Sequence, residues 1–564
     1  MRAGALTAAG CENARVEFNL AQVFSAVAAE VPERTCVVVG DRRFTFAQTE
    51  DRTNRLARAL HGWGLGAHTE RADLAGHQSG QSHLALYLTN GNEYLEGMLG
   101  AYKARVAPLN VNYRYVADEL VYLLGNSRPA AVMYHAQFAP TLAEALIEDP
   151  PTRLIHVDDA SGNEPLPGAV RYEELLREQP AGPPPGVEPS PDDLYLLYTG
   201  GTTGMPKGVL WRQHDIYVNA MGGRVFGTGD AVADIEDILE RVRRGGGGSL
   251  SCAPLMHGAA QWSAFSCVLS GRSFVMSSVT DHFDAEDTWE LAAREKVAMV
   301  LIVGDAFGRP LADVLEAHPD RWDLSALTTI GSGGALFSVG LKTRLLKQLP
   351  QLRILDAGGS SETGSQMGQV TTADSADDPA RFRPNPGAVV VSEDLTRILA
   401  PGADEIGWLA QQGLVPLGYL DDPEKSARTF PVIEGIRHSV PGDRARWDAD
   451  GSIELLGRDS VTINSGGEKI FAEEVEAAIG HHPAVYDVVV VGRPSTRWGS
   501  EVVALVQLAA GVPESPEIAD AITAEAARHI ARYKLPKAVL FRPRLQRSPS
   551  GKADYRWAKA EAAG

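Results

Sequence analysis

Cysteine is nearly missing from this sequence: four occur in 564 residues, Cys11, Cys36, Cys252 and Cys267, and none forms a CxxC pair or sits at zinc-site spacing. This excludes a disulfide-stapled scaffold and a cysteine metal centre, and it fits a reducing, cytoplasmic setting. Long apolar runs are missing too. No stretch approaches the roughly 18 to 20 uninterrupted apolar residues of a membrane-spanning helix, so any contact with a lipid is expected to be peripheral. The opening MRAGALTAAGC carries one positive charge and too short an apolar stretch for a secretory signal, and residues 1–16 read as a loose tail. Positive charge is in deficit. Lys and Arg number 53 against 72 Asp and Glu, a net charge of -19, which has the wrong sign for long-range attraction to nucleic acid or anionic membrane. No internal repeat or extended low-complexity tract occurs, and Gly245 to Gly248 read as a mobile surface loop.

What is present is a globular composition, 44% hydrophobic and 22% charged, in a chain too long for one core, so at least two domains are expected. Strand-like Thr35 to Val39 and Phe44 to Phe46 flank a Gly40-Asp41 turn, and Leu56, Leu60 and Trp63 follow at helical spacing. A strand from Leu84 to Leu88, a helix from about Asn92 to Ala104 and a strand near Val106 give β-α-β alternation, hence a largely parallel sheet. The segment Ala181-Gly182-Pro183-Pro184-Pro185-Gly186 is a connector into a strand from Leu194 to Tyr198. Val297 to Val303, Leu327 to Ile330 and Leu352 to Leu355 read as buried strands running into Gly-rich or acidic loops, where ligands of open α/β sheets gather. After about Gly457 a smaller α+β pattern begins: helix 473–479, strands 485–491 and 501–508, helix 516–532.

The segment with the most chemistry is Tyr198-Thr199-Gly200-Gly201-Thr202-Thr203-Gly204-Met205-Pro206-Lys207-Gly208, directly after a strand. Glycines bring backbone N–H groups close to phosphate oxygens, threonine hydroxyls add donors, and Lys207 adds charge, a design suited to a triphosphate. It is not the Walker motif, because Lys207 follows proline and precedes glycine. A bland Gly/Thr linker would need neither the strand before it nor the Pro-Lys-Gly ending.

This segment resembles the signature loop of the adenylate-forming superfamily, which includes acyl-CoA synthetases, peptide-synthetase adenylation domains and firefly luciferase. The resemblance runs in order from about residue 18 to residue 556. It implies an α/β fold: a large N-terminal domain of layered α/β subdomains with a small β-barrel-like part, over residues 17–457, and a small mobile α+β domain over 458–564.

The resemblance also implies roles for particular residues. Glu362, in Gly359-Ser360-Ser361-Glu362-Thr363-Gly364, matches the acidic position that holds Mg2+, and Ser361 is its neighbour at the nucleotide. The family usually carries an adenine-stacking aromatic where this chain has Gly358, so adenine contacts are expected from Gly333, Gly334, Ala335 and Asp356. Asp443 and Arg458 match the pair that holds the ribose diol. Lys552, in Ser548-Pro549-Ser550-Gly551-Lys552, matches the lysine that bridges carboxylate and α-phosphate. Ser465, Gly466, Gly467 and Glu468 match the loop that meets coenzyme A once the small domain rotates. At the hinge, Ser460 stands where many relatives have Asp or Lys. His257 and Trp262 are expected to line an acyl pocket, whereas His481-His482 reads as a polar loop before Pro483.

Read together, these residues imply an ATP-, Mg2+- and CoA-dependent ligase that activates a carboxylic acid as its acyl-adenylate. The segments Asn110 to Tyr115 and Tyr198 to Gln213 are most similar to actinobacterial synthetases for fatty or steroid side-chain acids, which points to a bulky or long apolar acyl group. Delivery to a carrier-protein thiol, and nucleotide binding without turnover, stay open as alternatives; so does oligomeric state, a homo-oligomer included.

Overall fold

The computed structural model describes residues 16–146, 153–199, 205–225, 228–335, 337–375, 381–458, 462–465, 468–495, 499–547 and 552–563. The expected β-α-β unit consists of strand His83–Tyr87, helix Asn92–Lys103 and strand Ala107–Asn110. His83–Tyr87 is buried along its whole length, as a parallel strand covered on both faces must be. It pairs in parallel with Ala107–Asn110 on one side and Ala131–His135 on the other. The complete sheet has eight strands and ends, past Leu194–Thr199 and Lys207–Arg212, at the short strand Gly418–Tyr419.

A second sheet of nine strands holds the other half of the N-terminal domain. Its parallel centre is Ser249–Ser251, Met299–Ile302, Thr329–Gly333 and Arg353–Ser360. Every residue of helix Asn92–Lys103 is buried. Its close approach to helix Phe46–Gly62 needs Gly100, where a Cβ would stand 2.7 Å from Leu56 Cδ2. The charges this helix buries are paired: Lys103 Nζ lies 2.6 Å from Glu50, and Glu96 2.7 Å from Arg52. Helix Phe46–Gly62 opens with a reciprocal cap, Thr45 Oγ1 accepting from the Gln48 N–H while the Gln48 side chain accepts from the Thr45 N–H.

The part expected to be barrel-like is a six-stranded antiparallel sheet formed between residues 388 and 458. Beyond it lies the small C-terminal domain, a three-stranded sheet of Val485–Ser495, Gly499–Leu508 and Ala538–Phe541. Period-two alternation splits its valines between two cores. Val488, Val490, Val502 and Val506 pack toward helices Ala472–Ile479 and Pro516–Ala526, while Val489, Val491 and Val503 pack toward helix Tyr555–Ala563. No helix among the described residues is long and apolar enough to cross a membrane.

Three local expectations change. The helix read over 516–532 stops at Ala526, its last buried residue, and His529 turns to stack on His481 with ring centroids 4.0 Å apart. The strand read as Leu352 to Leu355 runs on to Ser360, carried by antiparallel pairing with Gly364–Thr371. The loop read over Gly245 to Gly248 is at the surface at Gly246 and Gly247, which are exposed, but its last residue is packed: Gly248 is buried, its carbonyl accepts from the Ala298 N–H at 2.9 Å, and a Cβ there would meet the Ser273 carbonyl oxygen at 2.6 Å.

Trp211, fully buried on strand Lys207–Arg212, donates its indole N–H to the Ser361 carbonyl at 2.9 Å and so ties the first sheet to the turn that carries Glu362. Trp211→Ala is expected to cost about 3–5 kcal/mol in urea unfolding, as the loss of a large buried aromatic does. Trp211→Phe should retain most of that packing and lose about 1–3 kcal/mol through the unpaired carbonyl.

Candidate functional site

The signature segment bridges two strands that pair antiparallel, Tyr198 opposite Gly208 and Thr199 opposite Lys207. Both ends of the loop are therefore held at the same end of two interior strands. Gly200, Gly201, Thr202, Thr203 and Gly204 lie outside the described residues. Gly208 has no room for a side chain, since a Cβ would stand 2.9 Å from both Leu196 and the Tyr198 ring. Lys207 Nζ ion-pairs with Asp422 at 3.1 Å and lies 5.6 Å from the centre of the Tyr419 ring.

Glu362 sits in the tight turn between Arg353–Ser360 and Gly364–Thr371. Ser360 pairs with Gly364, and the Ser360 N–H donates to Thr363 Oγ1 at 2.9 Å. Gly364 adopts φ +66°, and a Cβ there would meet Asn219 Oδ1 at 2.0 Å, so only glycine closes this turn. Glu362 is held from two sides: the Tyr419 hydroxyl donates to its Oε1 at 2.9 Å, and Ser439 Oγ donates to its carbonyl at 2.6 Å. Ser361, the neighbouring residue, has its carbonyl taken by Trp211.

Gly333 ends strand Thr329–Gly333 opposite Ala357, and Gly334 follows at φ +84° with Ala335 beside it. Lys552, from the small domain, lies over this glycine: a Cβ on Gly334 would stand 3.6 Å from Lys552 Cε. The same lysine is felt by His257. Burial first, then the positive charges of Lys552 and Arg114, push the His257 imidazole down to about 4, so it is neutral near pH 7. His257 precedes helix Gly258–Val268, whose Trp262 ring would touch a Cβ on Gly258 at 3.0 Å.

Gly358 departs from the family's aromatic for a visible reason. It pairs with Met367, and a Cβ at 358 would stand 2.7 Å from Met367 Cε, so the methionine fills the space a ring would need. Asp356, expected near adenine, spends its carboxylate on an ion pair with Lys342 of helix Val339–Gln348, and both side chains are buried. The pair lies under the sheet end and braces it.

Asp443 and Arg458 are direct partners across antiparallel strands Asp443–Trp447 and Ile453–Arg458. Ser465 and Glu468 pair likewise across a short hairpin, while Gly466 and Gly467 lie outside the described residues, as do Ser460 and Ser548 to Gly551. The small domain reaches the large one at helix Gly304–Ala317. Arg309 donates to the Tyr486 carbonyl at 2.7 Å and stacks over its ring at 4.3 Å. Beside it, Arg547 binds Asp487 at 2.8 Å, and burial pushes the nearby Asp305 carboxyl up.

Three residues close to the charged centre escaped the sequence reading: Tyr419, Asp422 and Lys425. They follow one another in Gly418-Tyr419-Leu420-Asp421-Asp422-Pro423-Glu424-Lys425, a polar stretch with no local mark of function. What brings them in is pairing of strand Gly418–Tyr419 with Lys207–Arg212, Tyr419 opposite Val209.

Because the folded-state value for His257, about 4, lies below the ordinary histidine value of about 6.5, the unfolded chain binds the extra proton first. Stability attributable to this residue is therefore full above pH 6.5 and lost as pH falls toward 4. His257→Asn should flatten the fall of the thermal midpoint between pH 6.5 and pH 4 relative to wild type, and proton NMR of the wild-type chain should show one imidazole still neutral at pH 5.

Residues 24–407 match the model of the AMP-binding enzyme family, and residues 474–552 match that of the AMP-binding enzyme C-terminal domain. Among curated proteins the chain is 54% identical to the medium-chain acyl-CoA ligase Mig of Mycobacterium avium, over 97% of this chain and 98% of that one. It is 39% identical to a medium/long-chain-fatty-acid–CoA/3-oxocholest-4-en-26-oate–CoA ligase of Mycobacterium tuberculosis, over 97% and 96% of the two chains. Among solved structures, the anthranilate CoA ligase AuaEII in complex with anthranoyl-AMP superposes with a TM-score of 0.80 at 21% identity, covering 97% of each chain, a likeness of fold. With more than half of its length matched by the family model and a relative above half identity along nearly all of it, the chain belongs to the AMP-binding enzyme family.

Proposed function

We propose that this protein is an AMP-forming acid:CoA ligase, which joins a hydrophobic carboxylic acid to AMP from ATP and then passes the acyl group to coenzyme A. The observation that carries the reading is the position of Lys552. A lysine near the carboxyl end of the chain lies over Gly334, at the end of strand Thr329–Gly333 in the large domain. A domain built only to bind nucleotide has no use for such a reach.

In the first half-reaction a carboxylate oxygen attacks the α-phosphorus of ATP, and the electron pair of the bond to the β-phosphate leaves with pyrophosphate. Negative charge then gathers on the α-phosphate and on the leaving group. Lys552 answers the first, bridging carboxylate and phosphate, and Lys207 with the backbone of residues 199–204, Thr202 and Thr203 included, answers the second. Asp443 and Arg458 hold the ribose hydroxyls, and Gly333, Gly334 and Ala335 form the bed of the nucleotide. In the second half-reaction the CoA thiolate attacks the acyl carbon and AMP departs, with Ser465, Gly466, Gly467 and Glu468 beside the incoming thiol.

The donor set fits Mg2+. No group of three or more His, Cys, Asp or Glu side chains among the described residues could hold a metal alone, and Mg2+ favours one or two carboxylates completed by substrate phosphates. Glu362, steadied by Tyr419 and Ser439, would supply that carboxylate. The bound ion would neutralise phosphate charge.

The acid is proposed to be a medium- or long-chain fatty acid or a steroid side-chain acid, the classes named for the mycobacterial relatives. His257, neutral beside the site, and Trp262 line its pocket. The described cysteines, Cys36, Cys252 and Cys267, are free, in accord with a cytoplasmic location. Residues 458–564 are proposed as the mobile unit and 17–457 as the adenylation unit.

Incubation with ATP, Mg2+, CoA and a panel of fatty and steroid acids should yield acyl-CoA and AMP; acyl-AMP without a CoA thioester would favour a carrier-protein acceptor. Lys552→Ala should slow adenylate formation by about 10²–10³-fold while ATP affinity changes little, since it removes a contact strongest in the transition state. Equal loss of both would contradict its role.

A further inference from the structure

Helix Pro423–Thr429 brings a second ammonium group to Lys207. Lys425 Nζ lies 5.0 Å from the centre of the Tyr419 ring, and Lys207 Nζ lies 5.6 Å from the same centre. Asp422 is shared between them. Its Oδ2 pairs with Lys207 Nζ at 3.1 Å, and its Oδ1 accepts from the Lys425 backbone N–H at 3.0 Å, which fixes where the Lys425 side chain leaves the helix. No carboxylate among the described residues forms an ion pair with Lys425. Burial, and then the Lys207 ammonium, push Lys425 down to about 8 against the opposing pull of the Glu362 and Asp422 carboxylates.

Two ammonium groups converge on one ring, faced by the carboxylates of Asp422 and Glu362, and a multiply charged anion entering there would be met by both lysines. Lys207 stands at the end of the proposed phosphate loop. Glu362, the proposed Mg2+ carboxylate, is joined to the hydroxyl of the same tyrosine. The anion that satisfies both lysines is therefore the part of the nucleotide farthest from the adenosine.

We propose that Lys425 is a phosphate-contacting residue that, with Lys207, holds the β- and γ-phosphates of ATP and the pyrophosphate they become. This rests on the acid:CoA ligase reading for the identity of the nucleotide, not for the anion site itself. As the bond between the α-phosphorus and the bridging oxygen breaks, its electron pair departs with pyrophosphate, and Lys425 is positioned to take the charge that gathers there. The contact proposed for Lys425 is with the leaving pyrophosphate and not with AMP.

The test is calorimetric titration of the full chain with inorganic pyrophosphate, α,β-methylene-ATP and AMP, each with Mg2+, so that no acid substrate need be known. Lys425→Ala and Lys425→Gln should each weaken pyrophosphate and α,β-methylene-ATP by about tenfold, the loss of one charge-assisted contact, leave AMP unchanged, and be largely rescued in Lys425→Arg. Unchanged pyrophosphate affinity in both variants would overturn the proposal, and so would AMP weakened as much as pyrophosphate. Wild-type protein that binds pyrophosphate yet makes no acyl-CoA would sink the ligase reading and leave this site standing. Binding of AMP without pyrophosphate would do the reverse.

Discussion

The two domains keep separate hydrophobic cores and meet through polar contacts. None of the buried clusters of the described residues mixes side chains from the large domain with those beyond Ile463. What joins them instead is Arg309 on the Tyr486 carbonyl and ring, with Arg547, Asp487 and Asp305 close by. Polar seams of this kind can be exchanged for water at little cost, whereas a shared apolar core cannot, so domains joined this way are expected to move. The contact of Lys552 with Gly334 crosses the same domain boundary.

The opposite strategy operates beneath the site. There the turn that bears Glu362 is locked by glycines with no spare volume, by Trp211 on the Ser361 carbonyl and by Ser439 on its own carbonyl. Asp356 and Lys342 satisfy each other under the end of the sheet, where an unpaired charge would be costly. Rigid groups that meet a developing charge need no reorganisation at the moment of reaction, which is the main source of electrostatic catalysis. The turn beneath the site is thus tightly held, whereas the lysine proposed to act there comes from a domain with a core of its own.

Much of this was legible because certain local structures demand certain residues. The Glu362 turn and the Gly334 step each need glycine to turn sharply, so they leave a written mark even in a single sequence. Lys425 and Tyr419 left none, because their membership depends on one short strand pairing with a segment far away in the chain. The fate of Asp356 was equally hidden: its partner lies on the helix Val339–Gln348, and a sequence does not show which face of that helix turns inward. Gly358 shows the same point from the other side, since its lack of a side chain makes sense only once Met367 is seen across the ladder.

The sequence by itself determined the alternation of strands and helices, the positions of the glycine turns and the kinds of charge available, because backbone freedom and hydrophobic period are properties of neighbours along the chain. The tertiary structure alone decided which groups each charge meets: Lys207 with Asp422 and Lys425, Glu362 with the Tyr419 hydroxyl, and Lys552 with the backbone turn at Gly334. Electrostatic interaction falls off with distance through space and takes no account of separation along the chain, so a site made of charges becomes visible only when the fold has brought them together.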